Sequence, residues 1–160
     1  MPELTVVVPA FRERENIPRL LQALESALEG LQWEAVVVVD DAFDGTEDVV
    51  REHAQHDSRV RCLHRIGRRG LASACVEGML ASSAPYLAVI DADLQHDETL
   101  VPRLLAAAKS EQADVVVAVA RRRAGECRHR RENPHDFDRV QRTPVVRAES
   151  LEHCRVHIEQ

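Results

Sequence analysis

Short apolar runs and amphipathic stretches take turns along the first 120 residues. Leu4–Val8 is an apolar, β-branched run closed by Pro9, and it reads as a first strand. Asn16 then stands where a helix cap would, with Pro18 in the first turn. Ile17, Leu20, Leu21, Leu24, Ala27, Leu28 and Leu31 follow at helical spacing, and Gly30 supplies a stop. Ala35–Val39 reads as a second strand ending at Asp40–Asp41. Asp44 can cap a second helix, with Glu47 three residues on. Val60–Leu63 is a short third strand. The turn Gly67–Arg68–Arg69–Gly70 opens a third helix running through Leu71, Cys75, Met79 and Leu80, with Gly78 inside it at some cost in helix propensity. Tyr86–Ile90 is a fourth strand, Leu100–Ala108 a fourth helix with Pro102 near its start, and Val115–Val119 a fifth strand. Strict alternation of strand and helix predicts an α/β fold: a mainly parallel, Rossmann-like sheet with right-handed crossovers and helices on both faces.

The alternation stops at Val119, and charge changes there too. Residues 1–120 carry 11 Lys/Arg against 20 Asp/Glu, whereas residues 121–160 carry 10 against 7, opening on Arg121–Arg122–Arg123. We therefore expect a folded domain over 1–120 and a divergent basic tail over 121–160, partly disordered, with one strand near Pro144–Arg147. The overall net charge of −6 speaks against a general nucleic-acid binder. No apolar run approaches the roughly 18 residues of a membrane-spanning helix. Met1–Pro2–Glu3 does not resemble a secretory leader, and four irregularly spaced Cys do not form a disulfide framework, so a cytoplasmic location is expected. Within the tail, Cys127, His129, Cys154 and His157, with His153 adjacent, could in principle supply zinc ligands, although the Cys-x-His pair is tighter than usual zinc spacing.

The candidate chemistry lies at strand ends. The run Ala88–Val89–Ile90 leads directly into Asp91-x-Asp93, which reads as a buried strand with two acids emerging at its carboxyl end. Two acids one residue apart in an extended segment face the same side and can share one hard divalent cation; a strand followed by an acidic turn is the plain alternative. Pro9–Glu13 and Asp40–Asp44 end two further strands, and in a parallel sheet all three groups lie along one edge, where ligands bind. No G-x-G-x-x-G or P-loop follows any strand. An acid-rich site of this kind suits a metal-bound nucleoside diphosphate, the cation neutralising charge as the diphosphate leaves.

Four segments, VVVPAFRERENIPRLL, VVVVDDAFDGTEDVV, RRGLASACVEGM and VIDADLQHDETLVPRLL, span about residues 4–119. In order and spacing they resemble the family 2 glycosyltransferases of GT-A fold, and most closely the polyprenol-phosphate (dolichol-phosphate) mannosyltransferase branch. The resemblance implies that Pro9, Phe11 and Glu13 form a nucleotide-contacting loop, with Phe11 where an aromatic, often Tyr, is usual and Arg12 where Asn is usual. It implies that Asp40 and Asp41 hold base and ribose. Asp91 and Asp93 are then the catalytic pair at the diphosphate. Asp91, Asp93 and Gln95 match the metal motif, with Asp93 and Gln95 as direct ligands of Mg²⁺ or Mn²⁺. His96 begins the next loop or stands behind the ligands. Arg68 and Arg69 face a phosphate or form a solvated basic turn.

Members of this branch move a hexose, mannose or glucose, with inversion, from a nucleotide donor such as GDP-mannose or a UDP-hexose. The acceptor is a polyprenyl or dolichyl phosphate, which would bring the protein to the cytoplasmic face of a membrane. A phosphate monoester is largely ionised near neutral pH, its second pKa being about 6, so it needs no strong base. It needs cations instead. Here the chain departs from the pattern: Ala118–Val119–Ala120–Arg121 stands where a G-S-R-Y-like segment is usual, shifting the Arg by one position. Arg121 is the candidate nucleotide-sugar contact from this segment. Two readings follow, a working transferase or a truncated, non-catalytic nucleotide-sugar-binding remnant. A haloacid-dehalogenase-type phosphatase is a further rival, but its acids normally sit on the first strand.

Overall fold

The structure, a computed structural model, describes residues 1–41 and 43–119, together with the strand 139–142. Arg121, the zinc ligands considered in the tail and the strand expected near Pro144–Arg147 lie outside the described residues. The chain divides into two compact units, Met1–Glu98 and Thr99–Gln160.

In the first unit, β1 (Leu4–Ala10), α1 (Ile17–Ala27), β2 (Trp33–Asp40), α2 (Thr46–His56), β3 (Val60–Arg65), α3 (Leu71–Leu80) and β4 (Tyr86–Val89) follow one another in strict alternation. The sheet order is β3-β2-β1-β4, and every pair is parallel. Chain order runs outward from β1 to β3 and then returns to β4. With right-handed crossovers this sets α1 and α2 on one face and α3 on the other. Indeed α1 packs against α2, while α3 lies on β1 and β2. The direction of winding reverses between β1 and β4, and the carboxyl ends of those two strands border the crevice in which open α/β sheets bind ligands.

β1 and β2 are covered on both sides, so they read as continuous apolar runs; Val6, Val7, Val8, Val36, Val37 and Val38 are fully buried. α1 turns Ile17, Leu20, Leu21 and Leu24 inward, the stripe its sequence spacing predicts. Its expected cap differs. Asn16 has helical backbone angles and makes no capping bond, and its Nδ2 donates to Glu13 Oε2 (2.6 Å) instead. Asp44 does serve the start of α2: Oδ1 accepts from Thr46 N–H (3.1 Å) and Oδ2 from the Thr46 hydroxyl (2.8 Å). Gly78 has a packing reason. A Cβ there would collide with Val7 Cγ1 and come to 2.9 Å from Val38 Cγ2, so α3 seats its backbone directly on the sheet.

Two expectations are corrected. β4 was expected to be buried, but among the described residues it is the edge strand of its sheet, and Leu87 and Val89 on one face are nearly half exposed. A short apolar run shows that a strand forms but not how many neighbours it has. The fifth strand, expected in the parallel sheet, instead belongs to the second unit. There α4 (Leu100–Glu111) precedes β5 (Val116–Val119), which pairs antiparallel with β6 (Arg139–Arg142), Val116 opposite Arg142. The later chain satisfies the β5 backbone, a partner that periodicity does not reveal.

At the opposite end of the sheet from the crevice, Arg59 stacks 4.7 Å from the centre of the Trp33 ring. It also holds both Asp57 oxygens (Nε–Oδ1 2.9 Å, Nη2–Oδ2 2.7 Å) and reaches Glu25 (2.7 Å). The Arg59 hydrogen bonds keep the Asp57 carboxyl below its ordinary pKa, against a smaller opposing effect of burial.

Replacing Gly78 with Ala should lower the unfolding free energy by about 1–3 kcal/mol, the usual cost of overpacking, read by denaturant unfolding. Arg59→Ala should lower the thermal midpoint at neutral pH. Because the folded-state pKa of Asp57 is depressed, its stabilising effect is complete above about pH 4 and is lost as pH falls through the folded value. The gap between the two proteins should therefore narrow in acid.

Candidate functional site

The carboxyl ends of β1, β2, β3 and β4 lie on one edge of the sheet, where register sets Ala10 beside Val39 and Asp40 beside Arg65. Pro9 sits in β1 opposite Val38, beyond the last β1–β4 pair at Val7–Val89, where its missing N–H costs no ladder bond on the β4 side. Four groups occupy this edge.

The first is an ion pair out of solvent. Arg65 Nε donates to Asp40 Oδ1 (2.7 Å) and Nη2 to Oδ2 (3.2 Å), and the side chains are 1% and 8% exposed. Gly70 N–H adds a third bond to Asp40 Oδ2 (2.9 Å). Arg65 Nη1 reaches Ser73 Oγ (2.8 Å) and Glu77 Oε1 (3.1 Å), and Nη2 reaches the Gly70 carbonyl (3.3 Å). Asp40 thus ties the ends of β2 and β3 to the start of α3. Sequence reasoning singled out Asp40 but missed Arg65. The available signal was a charged residue ending a short apolar strand, one register step from an acid.

Second, Asp41 Oδ2 accepts from Gly67 N–H (3.3 Å), and its Oδ1 lies 3.9 Å from His64 Nε2. The other His64 ring nitrogen, Nδ1, is 2.9 Å from Glu47 Oε2. Third, Phe11 is 40% exposed, and its ring has the Arg12 guanidinium at 5.2 Å and that of Arg69 at 4.9 Å. Arg69 also donates to the Asp41 carbonyl (3.2 Å), so the loops after β1, β2 and β3 meet here. Arg12 adopts φ 63°, a left-handed conformation that Asn takes more readily than Arg. Glu13 links loops as well, its N–H donating to Thr46 Oγ1 (3.1 Å) while its carboxylate holds Asn16.

The fourth group follows β4. Asp91, Asp93 and His96 each offer a ligand atom, and those atoms all lie within 4.8 Å of one another. Backbone N–H groups fix the carboxylates: Ala92 N donates to Asp91 Oδ1 and Gln95 N to Asp93 Oδ1, both at 2.9 Å. The Gln95 side chain, expected as a ligand, is exposed. Two half-buried carboxylates and an imidazole are a fitting donor set for a divalent cation. The three side chains are near enough for rotamer changes to bring them onto one ion. His96, which the sequence placed in the next loop or behind the ligands, stands among them.

A model of Glycosyl transferase family 2 matches residues 5–156. The chain belongs to that family. Curated relatives include the dolichol-phosphate mannosyltransferases of Pyrococcus furiosus and Mycosarcoma maydis. The first is 36% identical over 108 residues, 68% of this chain and 30% of the relative. The second is 35% identical over 121 residues, 72% of this chain and 41% of the relative. The chain thus spans well under half the length of these family 2 proteins. Among solved structures, a mannosyltransferase from Pyrobaculum calidifontis in complex with GDP-Man and Mn²⁺ superposes with a TM-score of 0.58 at 26% identity, covering 75% of this chain and 36% of that one. The GT-A fold expected of a family 2 member is therefore present.

Arg65→Ala should lower the unfolding free energy by about 3–5 kcal/mol, since it strands a buried carboxylate. Asp40→Asn in the same background should recover part of that loss, which a double-mutant unfolding cycle would measure.

Proposed function

We propose that this chain carries the donor-binding part of a glycosyltransferase that moves a hexose, mannose above glucose, from a nucleoside diphosphate sugar to a polyprenyl or dolichyl phosphate with inversion. The convergence of Asp91, Asp93 and His96 at the end of β4, beside the point where the sheet reverses its winding, carries this reading. The names of the curated relatives favour mannose and dolichyl phosphate, and the Pyrobaculum structure, holding GDP-Man and Mn²⁺, favours GDP-mannose with Mn²⁺ over Mg²⁺ or a UDP-sugar.

The roles follow from position. A divalent cation, when bound, offsets the negative charge that grows on the departing diphosphate. Asp91 and Asp93 would hold that cation in place, their planes set by the Ala92 and Gln95 N–H groups. Phe11 offers an exposed aromatic face at the mouth of the crevice, and Arg69, beside it, offers a guanidinium to a base or phosphate. Asp41, half-buried just past the end of β2, is the acid assigned to the ribose, while Asp40 acts from beneath by fixing the start of α3. The acceptor is already an anion, so catalysis rests on alignment and charge compensation rather than on a strong base. Arg121 is proposed as a cation for that half of the site. A lipid-phosphate acceptor would bring the reaction to a membrane surface, which we assign to the cytoplasmic face.

A second reading, a donor-binding domain without transfer activity, is favoured by one observation: in Ala118–Val119–Ala120–Arg121 the Arg is shifted by one position from the G-S-R-Y-like pattern.

Titration calorimetry with GDP-mannose and UDP-glucose, with and without Mn²⁺, should show Mn²⁺-dependent binding that prefers GDP-mannose. Asp93→Ala should abolish the Mn²⁺-dependent part, and donor affinity indifferent to both changes would sink the reading. Mannosyl transfer to a polyprenyl phosphate separates the enzyme from the binding domain.

A further inference from the structure

The turn after β4 does more than end the strand. In an extended chain Asp93 and His96 would be about 10 Å apart at the backbone, at 3.3–3.6 Å per residue. Three residues apart, they would also face opposite sides. Leu94 breaks this course with φ 60°. Left-handed backbone is unfavourable for an apolar side chain and is normally left to Gly, Asn or Asp. The bend brings the imidazole of His96 back to the two acids, so that the three sets of ligand atoms lie within 4.8 Å. The same bend lets Gln95 N–H reach Asp93 Oδ1 at 2.9 Å, which fixes the orientation of that carboxylate.

We infer that His96 supplies a nitrogen ligand to the cation held by Asp91 and Asp93, and that this nitrogen makes the site select Mn²⁺ over Mg²⁺. The inference rests on the proposed role of the two acids as cation ligands and goes beyond it. An all-oxygen pair of carboxylates distinguishes poorly between these ions. Mg²⁺ keeps its waters and favours oxygen donors in near-ideal octahedral geometry. Mn²⁺ shares the taste of Mg²⁺ for oxygen donors, but as a transition metal it also accepts imidazole, so a nitrogen replacing one oxygen costs Mn²⁺ less than it costs Mg²⁺. His96 is exposed, so its substitution leaves the core untouched.

The test uses the full chain with GDP present and reads the metal rather than turnover. Electron paramagnetic resonance counts free and bound Mn²⁺, and electron spin-echo spectroscopy detects nitrogen bound to it. Wild-type protein should show a nitrogen coupling that changes to the ¹⁵N pattern when the chain is ¹⁵N-labelled, which separates His96 from the nitrogens of the base. His96→Ala should abolish that coupling and weaken Mn²⁺ binding at least about tenfold, the low end of what losing a group that only orients a metal ligand costs. Mg²⁺, measured by competition, should weaken less, so the Mn²⁺/Mg²⁺ preference narrows. If Asp93→Ala loses Mn²⁺ but His96→Ala keeps both affinity and spectrum, the role of His96 is refuted while the carboxylate site stands. If wild type binds no Mn²⁺, or Asp93→Ala binds it unchanged, both readings fall together.

Discussion

A charge pair shut away from water holds the business edge of the sheet together. Placing a carboxylate and a guanidinium in a site where they are 8% and 1% exposed is costly, and the cost is offset only when geometry and further hydrogen bonds are complete. Here they are. Arg65 spends its donors on Asp40, Ser73, Glu77 and the Gly70 carbonyl, and Asp40 accepts Gly70 N–H as well. No buried side-chain polar atom among the described residues lacks a partner. The pair therefore acts as a clamp across β2, β3 and α3. The loops that carry Asp41, Gly67 and Arg69 hang from it, and they bind one another above it.

The group after β4 is held differently. Its acids are oriented by backbone N–H groups one and two residues on, and a left-handed residue, Leu94, bends the turn that carries its histidine. One side of the crevice is therefore braced by long-range contacts, while on the other the two acids are bonded within their own turn. Such a division keeps the β2–β3 side fixed and leaves the acids after β4 freer to change rotamer. It also gives the two kinds of residue different liabilities: loss of the clamp threatens the fold, loss of a ligand only the site.

Much of this was legible in the residues. The apolar runs and the helical spacing of Ile17, Leu20, Leu21 and Leu24 gave the alternation, because burial on one face or two leaves its period in the chain. The four motifs marked the family and pointed to Asp91 and Asp93. What stayed hidden depended on partners distant in sequence. The role of Arg65 requires knowing that β3 lies beside β2 in the register that meets Asp40. The place of His96 requires Leu94 in a conformation its side chain does not advertise. The pairing of β5 with β6, and the edge position of β4, are choices of neighbour that a short strand leaves open. Gly78 looked like a local weakness in a helix; its reason is a valine on each of two strands beneath it.

β1 runs on to Ala10 alongside β2, whereas its pairing with β4 ends at Val7–Val89, followed by one last bond from Ile90 N–H to the Val7 carbonyl (3.1 Å). The shorter strand leaves a notch in the sheet, floored by β4 and walled by Pro9 and Ala10. Proline suits that wall, having no N–H to invite another strand into the gap. The unequal strand lengths thus create the recess themselves, and a β4 paired two or three residues further would draw Asp91 into the ladder and seal the entrance.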